Sequence, residues 1–198
     1  MTSTISPITA SLEKLKEFLL KLIVENAYKE GDFTLSSGQK SSYYINCKQV
    51  TLDAKGAIAL GRLILSILPK DTEAVAGLTL GADPIVSAVS VVSAYENLNI
   101  PALIIRKKAK GHGTQAYIEG ISLQKGAKVV VLEDVVTTGQ SALIAVQRLQ
   151  DVGYKVEEVI ALVDRKQGGG ELYKSKGLKF SSLFSIEDLQ KKYKANQS

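Results

Sequence analysis

The sequence contains little of what several classes of protein require. Cys47 is its only cysteine, which excludes an intramolecular disulfide and a cysteine-based metal cluster. No uncharged apolar run approaches the roughly 18 residues of a membrane helix. The first ten residues lack a basic start followed by an apolar core, so we expect no secretory signal. These absences predict a cytoplasmic protein without membrane contact.

The charge balance leaves two kinds of partner open. Lysine and arginine number 25 against 20 acidic residues, a formal net charge of +5. A mild surplus of this kind is typical of a nucleic-acid surface or of a site for anionic small molecules. The densest basic group lies at residues 106–110, beside His112, the only histidine of the chain.

The hydrophobic pattern predicts an α/β fold. Apolar residues recur every three or four positions over residues 11–28, and helices are also predicted at 53–68, 84–95, 141–152 and 186–193. Short apolar runs between the helices predict strands at 74–80, 102–105, 129–132, 156–163 and 178–183. Runs such as 129–132 do not alternate with polar residues, which indicates strands buried on both faces in a parallel sheet. We expect a single domain over residues 1–198, with about 1–50 as an N-terminal helix and cap.

The most informative segment is residues 129–141, where a buried strand is predicted to end in Glu133 and Asp134. A loop of threonines and glycine follows and leads into a helix. Backbone N–H groups and the helix N-terminus can hold a phosphate there. The acids suit ribose hydroxyls or a metal-bound part of a ligand. The alternative is a strand that simply ends in solvated acids, followed by a threonine-rich turn. Among phosphate-binding motifs, the segment matches neither a P-loop nor a dinucleotide-binding fingerprint.

This segment resembles the phosphoribosyl-pyrophosphate signature of type I phosphoribosyltransferases. The resemblance implies a type I phosphoribosyltransferase fold: a central, mostly parallel sheet flanked by helices, with a small N-terminal hood. It also implies that Glu133 and Asp134 hold the ribose 2′- and 3′-hydroxyls. The residues it assigns to the 5′-phosphate are Val135, Val136, Thr137, Thr138, Gly139, Gln140 and Ser141. Gln140 stands where many members have a small residue or threonine.

The basic segment after the strand at 102–105 has two interpretations. Charge runs usually form a solvated surface. Glycines around the histidine instead favour a mobile loop that closes over a substrate, and clustered donors would stabilise a departing pyrophosphate. The segment resembles the flexible catalytic loop of orotate phosphoribosyltransferases. That resemblance places Arg106, Lys107, Lys110 and His112 on pyrophosphate.

Two further segments are similar to the orotate family. Residues 31–44 resemble its N-terminal motif, which helps to close the acceptor pocket, although taken alone they are a polar turn. Ser36 stands where many members have a donor-binding lysine, so that role is either absent or taken by a neighbour such as Lys40. Arg165, after the strand at 156–163, matches the arginine that binds the orotate carboxylate, and Thr137 is a second candidate. Leu80 and Gly81 replace a Tyr-Lys pair of some relatives.

The resemblance implies the chemistry as well. Orotate attacks the anomeric carbon of phosphoribosyl pyrophosphate through an oxocarbenium-like transition state, and orotidine 5′-monophosphate and pyrophosphate form. Mg²⁺ is expected as the cofactor, held mainly by ligand oxygens and water rather than by protein ligands. The expected catalytic residues are Lys107, Lys110, His112 and Asp134. The family also implies a homodimer whose basic loop reaches the neighbouring site, with no nucleic-acid partner.

Two other functions remain open. A purine phosphoribosyltransferase would share the donor signature, but residues 31–44 and the loop containing His112 favour orotate. A non-catalytic regulator that binds nucleic acid would suit the positive charge. Such a regulator usually needs an added DNA-reading domain, for which the N-terminal segment leaves no room.

Overall fold

The computed structural model describes residues 5–34, 38, 40–110 and 117–197. The helices are α1 (Leu12–Asn26), α2 (Lys48–Thr51), α3 (Ala54–Ile67), α4 (Asp83–Tyr95), α5 (Gln140–Asp151), α6 (Gly169–Ser175) and α7 (Ile186–Gln197). The strands are β1 (Tyr28–Thr34), β2 (Lys40–Ile45), β3 (Ala74–Leu78), β4 (Ala102–Ile105), β5 (Ile118–Glu119), β6 (Val129–Val136), β7 (Glu158–Asp164) and β8 (Lys179–Ser185).

Six strands form one sheet in the order β5-β4-β3-β6-β7-β8. Every neighbouring pair in it is parallel except β4 and β5, which are antiparallel. Helices connect the parallel strands and cover both faces, as crossover connections require. The expected α/β fold with a mostly parallel sheet is therefore confirmed.

The core lies on both faces of this sheet because β3, β6 and β7 are apolar on both sides. All five residues of β3 are buried. One cluster of buried side chains joins one sheet face to α1, α3 and α4. The other cluster joins the opposite face to α5 and α6. The continuous valine and isoleucine runs thus serve two apolar layers at once.

The strands β1 and β2 form a separate antiparallel hairpin, which we call the hood hairpin. It follows α1, whose first turn is capped by the side chain of Ser11. The ring of Tyr28 stacks on that of Tyr43 within the hairpin, with centroids 5.9 Å apart. Tyr28 also meets Tyr193 of α7 edge to face at 5.3 Å. Aromatic contacts therefore join the hairpin to the C-terminal helix.

The main elements agree with the sequence predictions, with one consequential correction. The strand predicted at residues 129–132 continues to Val136, so Glu133 and Asp134 lie inside β6 rather than beyond its end. Pairing with β7 explains this, since Val135 and Val136 pair with Val163 and Asp164. The sequence analysis did not identify α2, β5 or α6. In the part of the chain that is described, no helix is long and apolar enough to cross a membrane.

Candidate active site

Four loops meet at the edge of the sheet where the parallel strands end. They follow β3, β4, β6 and β7, which lie side by side in the sheet. Because parallel strands point the same way, the segments after Leu78, Ile105, Val136 and Asp164 emerge together. Ligands of open α/β sheets bind at this edge. The structure thus brings together the acids, the Thr-Gly loop, the start of the basic segment and Arg165.

The loop after β6 forms a small cradle at the N-terminus of α5. A cavity of about 80 Å³ lies there, lined by Glu133, Val135, Val136, Thr137, Thr138, Gly139, Gln140, Ser141 and Tyr173. Gly139 has φ 82°, a conformation that favours glycine. A Cβ on Gly139 would also lie 2.9 Å from the Tyr173 ring. The N-terminal end of a helix favours an anion, so this cavity suits a phosphate group.

Glu133 is almost fully buried beside this cavity. Its side chain is 7% exposed, and its Oε2 has no hydrogen-bond partner among the described residues. Burial raises the pKa of Glu133 well above its usual range, and the neighbouring charge of Asp134 adds to the increase. The positive charge of Lys107 opposes that shift, which places the basic segment within electrostatic range of the acids. A proton on Glu133 lets the buried carboxyl both donate and accept hydrogen bonds.

Asp134 is more accessible than Glu133 and borders the loop after β3. The carboxyl groups of the two acids interact, since the charge of Asp134 and a side-chain hydrogen bond with it both help to raise the pKa of Glu133. The Oδ1 of Asp134 accepts a hydrogen bond from the N–H of Val135 at 2.9 Å. A Cβ on Gly81 would lie 2.6 Å from this carboxylate. The absence of a side chain at Gly81 therefore leaves the room that Asp134 occupies.

The basic segment is tied to the short strand β5. Arg106 donates to Glu119 with an N–O distance of 2.9 Å, and Lys110 approaches the same carboxylate at 3.7 Å. Lys107 is exposed. His112, predicted to contact pyrophosphate, lies outside the described residues, as does Ser36. The described part of the segment thus supplies cations at the same edge as the acids.

Arg148 of α5 holds the start of the basic segment. Its Nη1 donates to the carbonyl of Arg106, and its Nη2 donates to that of Lys107 at 3.1 Å. Its guanidinium lies 4.0 Å from the centroid of the Tyr117 ring. The N–H of Arg106 in turn donates to the carbonyl of Tyr117 at 2.8 Å. The helix behind the phosphate cradle and the basic segment are therefore directly connected.

Arg165 lies at the other end of the site, under the hood hairpin. Its side chain is 8% exposed. Its Nε donates to the hydroxyl of Tyr43 at 3.0 Å, and its Nη2 donates to Ser41 Oγ at 3.1 Å. Its guanidinium carbon also lies 4.6 Å from the centroid of the Tyr43 ring. The hairpin thus contacts the residue predicted to bind the acceptor.

Several residues of the site were not found by sequence reasoning. Glu119, Arg148 and Tyr173 carry no local motif, and only the fold brings them to the cradle or the basic segment. Ser41 and Tyr43 lie in a segment that was identified, but their contact with Arg165 spans more than 120 positions. No cluster of three or more metal-binding side chains occurs within residues 5–34, 38, 40–110 and 117–197.

Comparison with known proteins agrees with this geometry. The family model described as "Phosphoribosyl transferase domain" matches residues 52–190, which include every strand of the large sheet. The matched region contains the mostly parallel sheet, the cavity at the N-terminus of α5 and the two acids inside β6. The chain belongs to the phosphoribosyltransferase family.

The relatives narrow this class. The orotate phosphoribosyltransferase of Nostoc sp. (strain PCC 7120) is 70% identical, over 96% of this chain and 93% of that protein. That of Synechocystis sp. (strain PCC 6803) is 65% identical, over 94% of each. Mycobacterium tuberculosis orotate phosphoribosyltransferase, solved in complex with 5-phospho-alpha-D-ribosyl 1-diphosphate, has a TM-score of 0.73 and 34% identity, covering 89% of this chain and 99% of that one. This chain belongs to the orotate phosphoribosyltransferase family.

Proposed function

We propose that the protein transfers the ribose 5-phosphate group of phosphoribosyl pyrophosphate to orotate. The products are orotidine 5′-monophosphate and pyrophosphate, in the de novo synthesis of UMP. The observation that carries this proposal is the arrangement of the phosphate cradle and Arg165 at one edge of the sheet. A phosphate-sized cavity, two acids and a buried guanidinium lie at that edge, and a nucleotide with a carboxylated base would need all three. The names of the relatives support the same reaction.

The donor is assigned to the cradle, the acids and the basic segment. Residues 135–141 hold the 5′-phosphate through backbone N–H groups and hydroxyls. Glu133 and Asp134 bind the ribose hydroxyls. The cations assigned to pyrophosphate are Arg106, Lys107, Lys110 and His112. Several charged donors together stabilise the leaving group as its bond to the anomeric carbon breaks.

The acceptor is assigned to Arg165 and Thr137. A guanidinium fork matches a planar carboxylate, and the low exposure of Arg165 strengthens that interaction. A ring nitrogen of orotate forms the new bond to the anomeric carbon as pyrophosphate departs. Asp134, on the accessible side of β6, assists the movement of the proton at the acceptor. The protein otherwise positions the reactants and neutralises charge.

Mg²⁺ is the proposed cofactor, and it would neutralise charge on pyrophosphate and ribose oxygens. The chemistry of the residues fits this ion, because Asp134 offers the hard carboxylate oxygen that Mg²⁺ prefers. Most of the coordination is assigned to ligand oxygens and water, as the resemblance to the family implies. Asp134 would hold the ion in place together with the ribose hydroxyls.

The assembly and the location of the enzyme stay predictions. We propose a single catalytic unit, with about residues 1–50 as helix and hood and the rest as core. We also propose a cytoplasmic homodimer whose basic loop serves the partner's site, with no nucleic-acid or membrane partner. The apolar side chains Val91, Tyr95 and Leu98 are 60%, 85% and 56% exposed, which supports burial of this surface against another subunit.

The decisive experiment follows the loss of orotate absorbance with the donor and Mg²⁺ present or withheld. Turnover that requires both would support the assignment of acceptor, donor and ion. Consumption of adenine, hypoxanthine or xanthine instead would overturn the acceptor and favour a purine enzyme. Donor binding without any turnover, combined with salt-sensitive nucleic-acid binding, would favour a regulator.

A further inference from the structure

Two hydroxyls of the hood hairpin occupy one whole edge of the Arg165 guanidinium. Nε bonds the hydroxyl of Tyr43 at 3.0 Å, and Nη2 bonds Ser41 Oγ at 3.1 Å. Nε and Nη2 form one of the two edges through which a planar guanidinium binds a carboxylate in bidentate fashion. That edge is taken. The other edge, formed by Nη1 and the second hydrogen of Nη2, has no partner among the residues that the structure describes.

Both hydroxyls are themselves fixed in position. The hydroxyl of Ser41 donates to the carbonyl of Tyr43 at 2.7 Å, which leaves its lone pairs for Arg165. The ring of Tyr43 stacks on Tyr28, and the guanidinium lies over the same ring at 4.6 Å from its centroid. Gln167 Nε2 approaches the Tyr43 hydroxyl at 3.5 Å. The guanidinium is therefore oriented by groups that have little freedom to move.

We propose that Ser41 and Tyr43 are positioning residues that make Arg165 present its Nη1–Nη2 edge to the carboxylate of the acceptor base. They thereby determine selectivity for a carboxylated pyrimidine over the same base without the carboxylate. This inference rests on the proposed function, since it takes Arg165 as the carboxylate-binding residue. It adds that the selectivity resides partly in the hood hairpin.

The energetic reason is pre-organisation. An arginine side chain has several rotatable bonds, and fixing them costs free energy when the ligand binds. The hydrogen bonds to Tyr43 and Ser41 fix these bonds when the protein folds, so this free energy is not lost again when the ligand binds. Removal of either hydroxyl frees the fork to rotate and leaves a buried donor without its acceptor. The loss falls only on ligands that carry the carboxylate, because the base ring, ribose and phosphate are bound by other groups.

The test compares two nucleotides that differ only in that carboxylate. Calorimetric titration measures the binding of orotidine 5′-monophosphate and of UMP to the intact enzyme and to Tyr43→Phe, Ser41→Ala and Tyr154→Phe. Tyr43→Phe keeps the ring and its stacking. Tyr154 is the matched control, because its hydroxyl also accepts a hydrogen bond, from the N–H of Leu123 at 3.0 Å, and it precedes β7 whereas Arg165 follows that strand.

The expected result is selective. Tyr43→Phe and Ser41→Ala each weaken orotidine 5′-monophosphate about tenfold, the effect of losing one hydrogen bond, and change UMP by less than about twofold. Tyr154→Phe changes neither affinity. In steady-state assays the KM for orotate rises more than kcat falls, and the KM for the donor is unchanged.

Three outcomes would overturn the inference. Equal losses for both nucleotides would mean that the hydroxyls support the hood hairpin in general. Unchanged affinities in both variants would mean that Arg165 needs no external orientation. If the unmodified enzyme itself did not prefer orotidine 5′-monophosphate to UMP, the assignment of orotate as the acceptor would be wrong. The inference about Ser41 and Tyr43 would then be wrong as well.

Discussion

The guanidinium of Arg165 and the hydroxyl of Tyr43 are joined by a hydrogen bond of 3.0 Å across 122 positions of the sequence. Arg165 follows β7 at the carboxyl edge of the large sheet, and Tyr43 belongs to the hood hairpin. The bond therefore connects the two sheets of the protein at the acceptor end of the site. Arg165 depends on both sheets for its place.

Replacement of Arg165 by lysine should remove acceptor recognition while leaving donor recognition intact. Lysine keeps the charge but not the fork, so the bidentate contact and the bonds to Tyr43 and Ser41 are lost. Charged hydrogen bonds contribute about 1.5–3 kcal/mol each, so the KM for orotate should rise roughly 100-fold. Initial rates at varied orotate and varied donor measure both effects.

The matched control is Arg62→Lys, since Arg62 is also an arginine with fixed hydrogen bonds. Its Nη1 donates to the carbonyls of Pro7 and Ala10, and none of the site residues is involved. This variant should keep the KM values for both substrates. An equal rise of the donor and orotate KM in Arg165→Lys would contradict its assignment to the acceptor.

Replacement of Arg148 by methionine should slow catalysis without abolishing product binding. Arg148 holds the carbonyls of Arg106 and Lys107, and methionine preserves the stem but not the donors. With the start of the basic segment released, its cations meet pyrophosphate less often in the right geometry. We expect kcat to fall about tenfold, the effect of one or two hydrogen bonds.

Gln147→Met on the same helix is the control for Arg148→Met. Gln147 bonds only Asp151 one turn away, at 2.8 Å. Stopped-flow measurement of pyrophosphate release reports on the step that the basic segment should affect. A normal kcat in Arg148→Met would show that the segment needs no anchor on α5.

Replacement of Gly81 by alanine should displace Asp134. The new methyl group would lie 2.6 Å from the carboxylate, closer than any real contact of a Cβ, so the carboxylate must move. We expect donor affinity to fall by at least about tenfold, the effect of one lost charged hydrogen bond. Titration with phosphoribosyl pyrophosphate in the presence of Mg²⁺ measures this.

Gly170→Ala is the control for the change at Gly81. A Cβ on Gly170 would meet only the edge of the Phe180 ring, at 3.2 Å, where a small shift of the ring gives room. Thermal unfolding of both variants separates misfolding from displacement. Unchanged donor affinity in a folded Gly81→Ala protein would remove Asp134 from the donor site.

Replacement of Glu133 by glutamine should change how stability depends on pH. Burial raises the pKa of Glu133 well above its usual value of 4.5, whereas the unfolded chain ionises near that value. Between the two pKa values the folded protein holds a proton that the unfolded chain releases. The stabilising contribution of Glu133 is therefore complete below pH 4.5 and is lost as the pH rises.

Glutamine has no proton to lose at this position, so the variant avoids that loss. Without ligands, Glu133→Gln should unfold at a higher temperature than the unmodified protein at pH 8, with a smaller difference at pH 4. Each 1 kcal/mol corresponds to about 2–4 °C for a chain of this size. Scanning calorimetry across this range measures it, with the exposed Glu17→Gln as control. Parallel curves for Glu133→Gln and the unmodified protein would contradict the raised pKa.

The large sheet could be predicted from the sequence because most of its strands are continuous runs of apolar residues. All four residues of β4 are apolar and pack into the two layers on either face of the sheet, so β4 was predicted with its observed bounds. The strand β6 was predicted too short, because Glu133 and Asp134 are charged and interrupt the apolar run. Their place inside the strand depends on the pairing of Val135 and Val136 with β7, which no local pattern reveals.

The site was predictable where its residues share one loop and not where they meet through folding. The cradle residues 135–141 form one continuous motif, and they line one cavity in the structure. Arg148 and Glu119 are ordinary charged residues of a helix and a short strand in the sequence. Their contacts with Arg106 arise only in the folded chain, where α5 packs on β3 and β6 and β5 pairs with β4.

The antiparallel strand β5 makes the basic segment a separable module. The chain leaves β4 at Ile105 and returns at Ile118, which pairs with that same residue, and Tyr117 closes the exit by bonding Arg106. Backbone hydrogen bonds therefore hold the two ends of the segment together at the edge of the sheet. Lengthening a loop whose ends are already joined costs little free energy, because closure entropy grows only slowly with length. The cations that meet pyrophosphate can therefore change through insertions or exchanges in this segment, while the register of every parallel strand behind it stays the same.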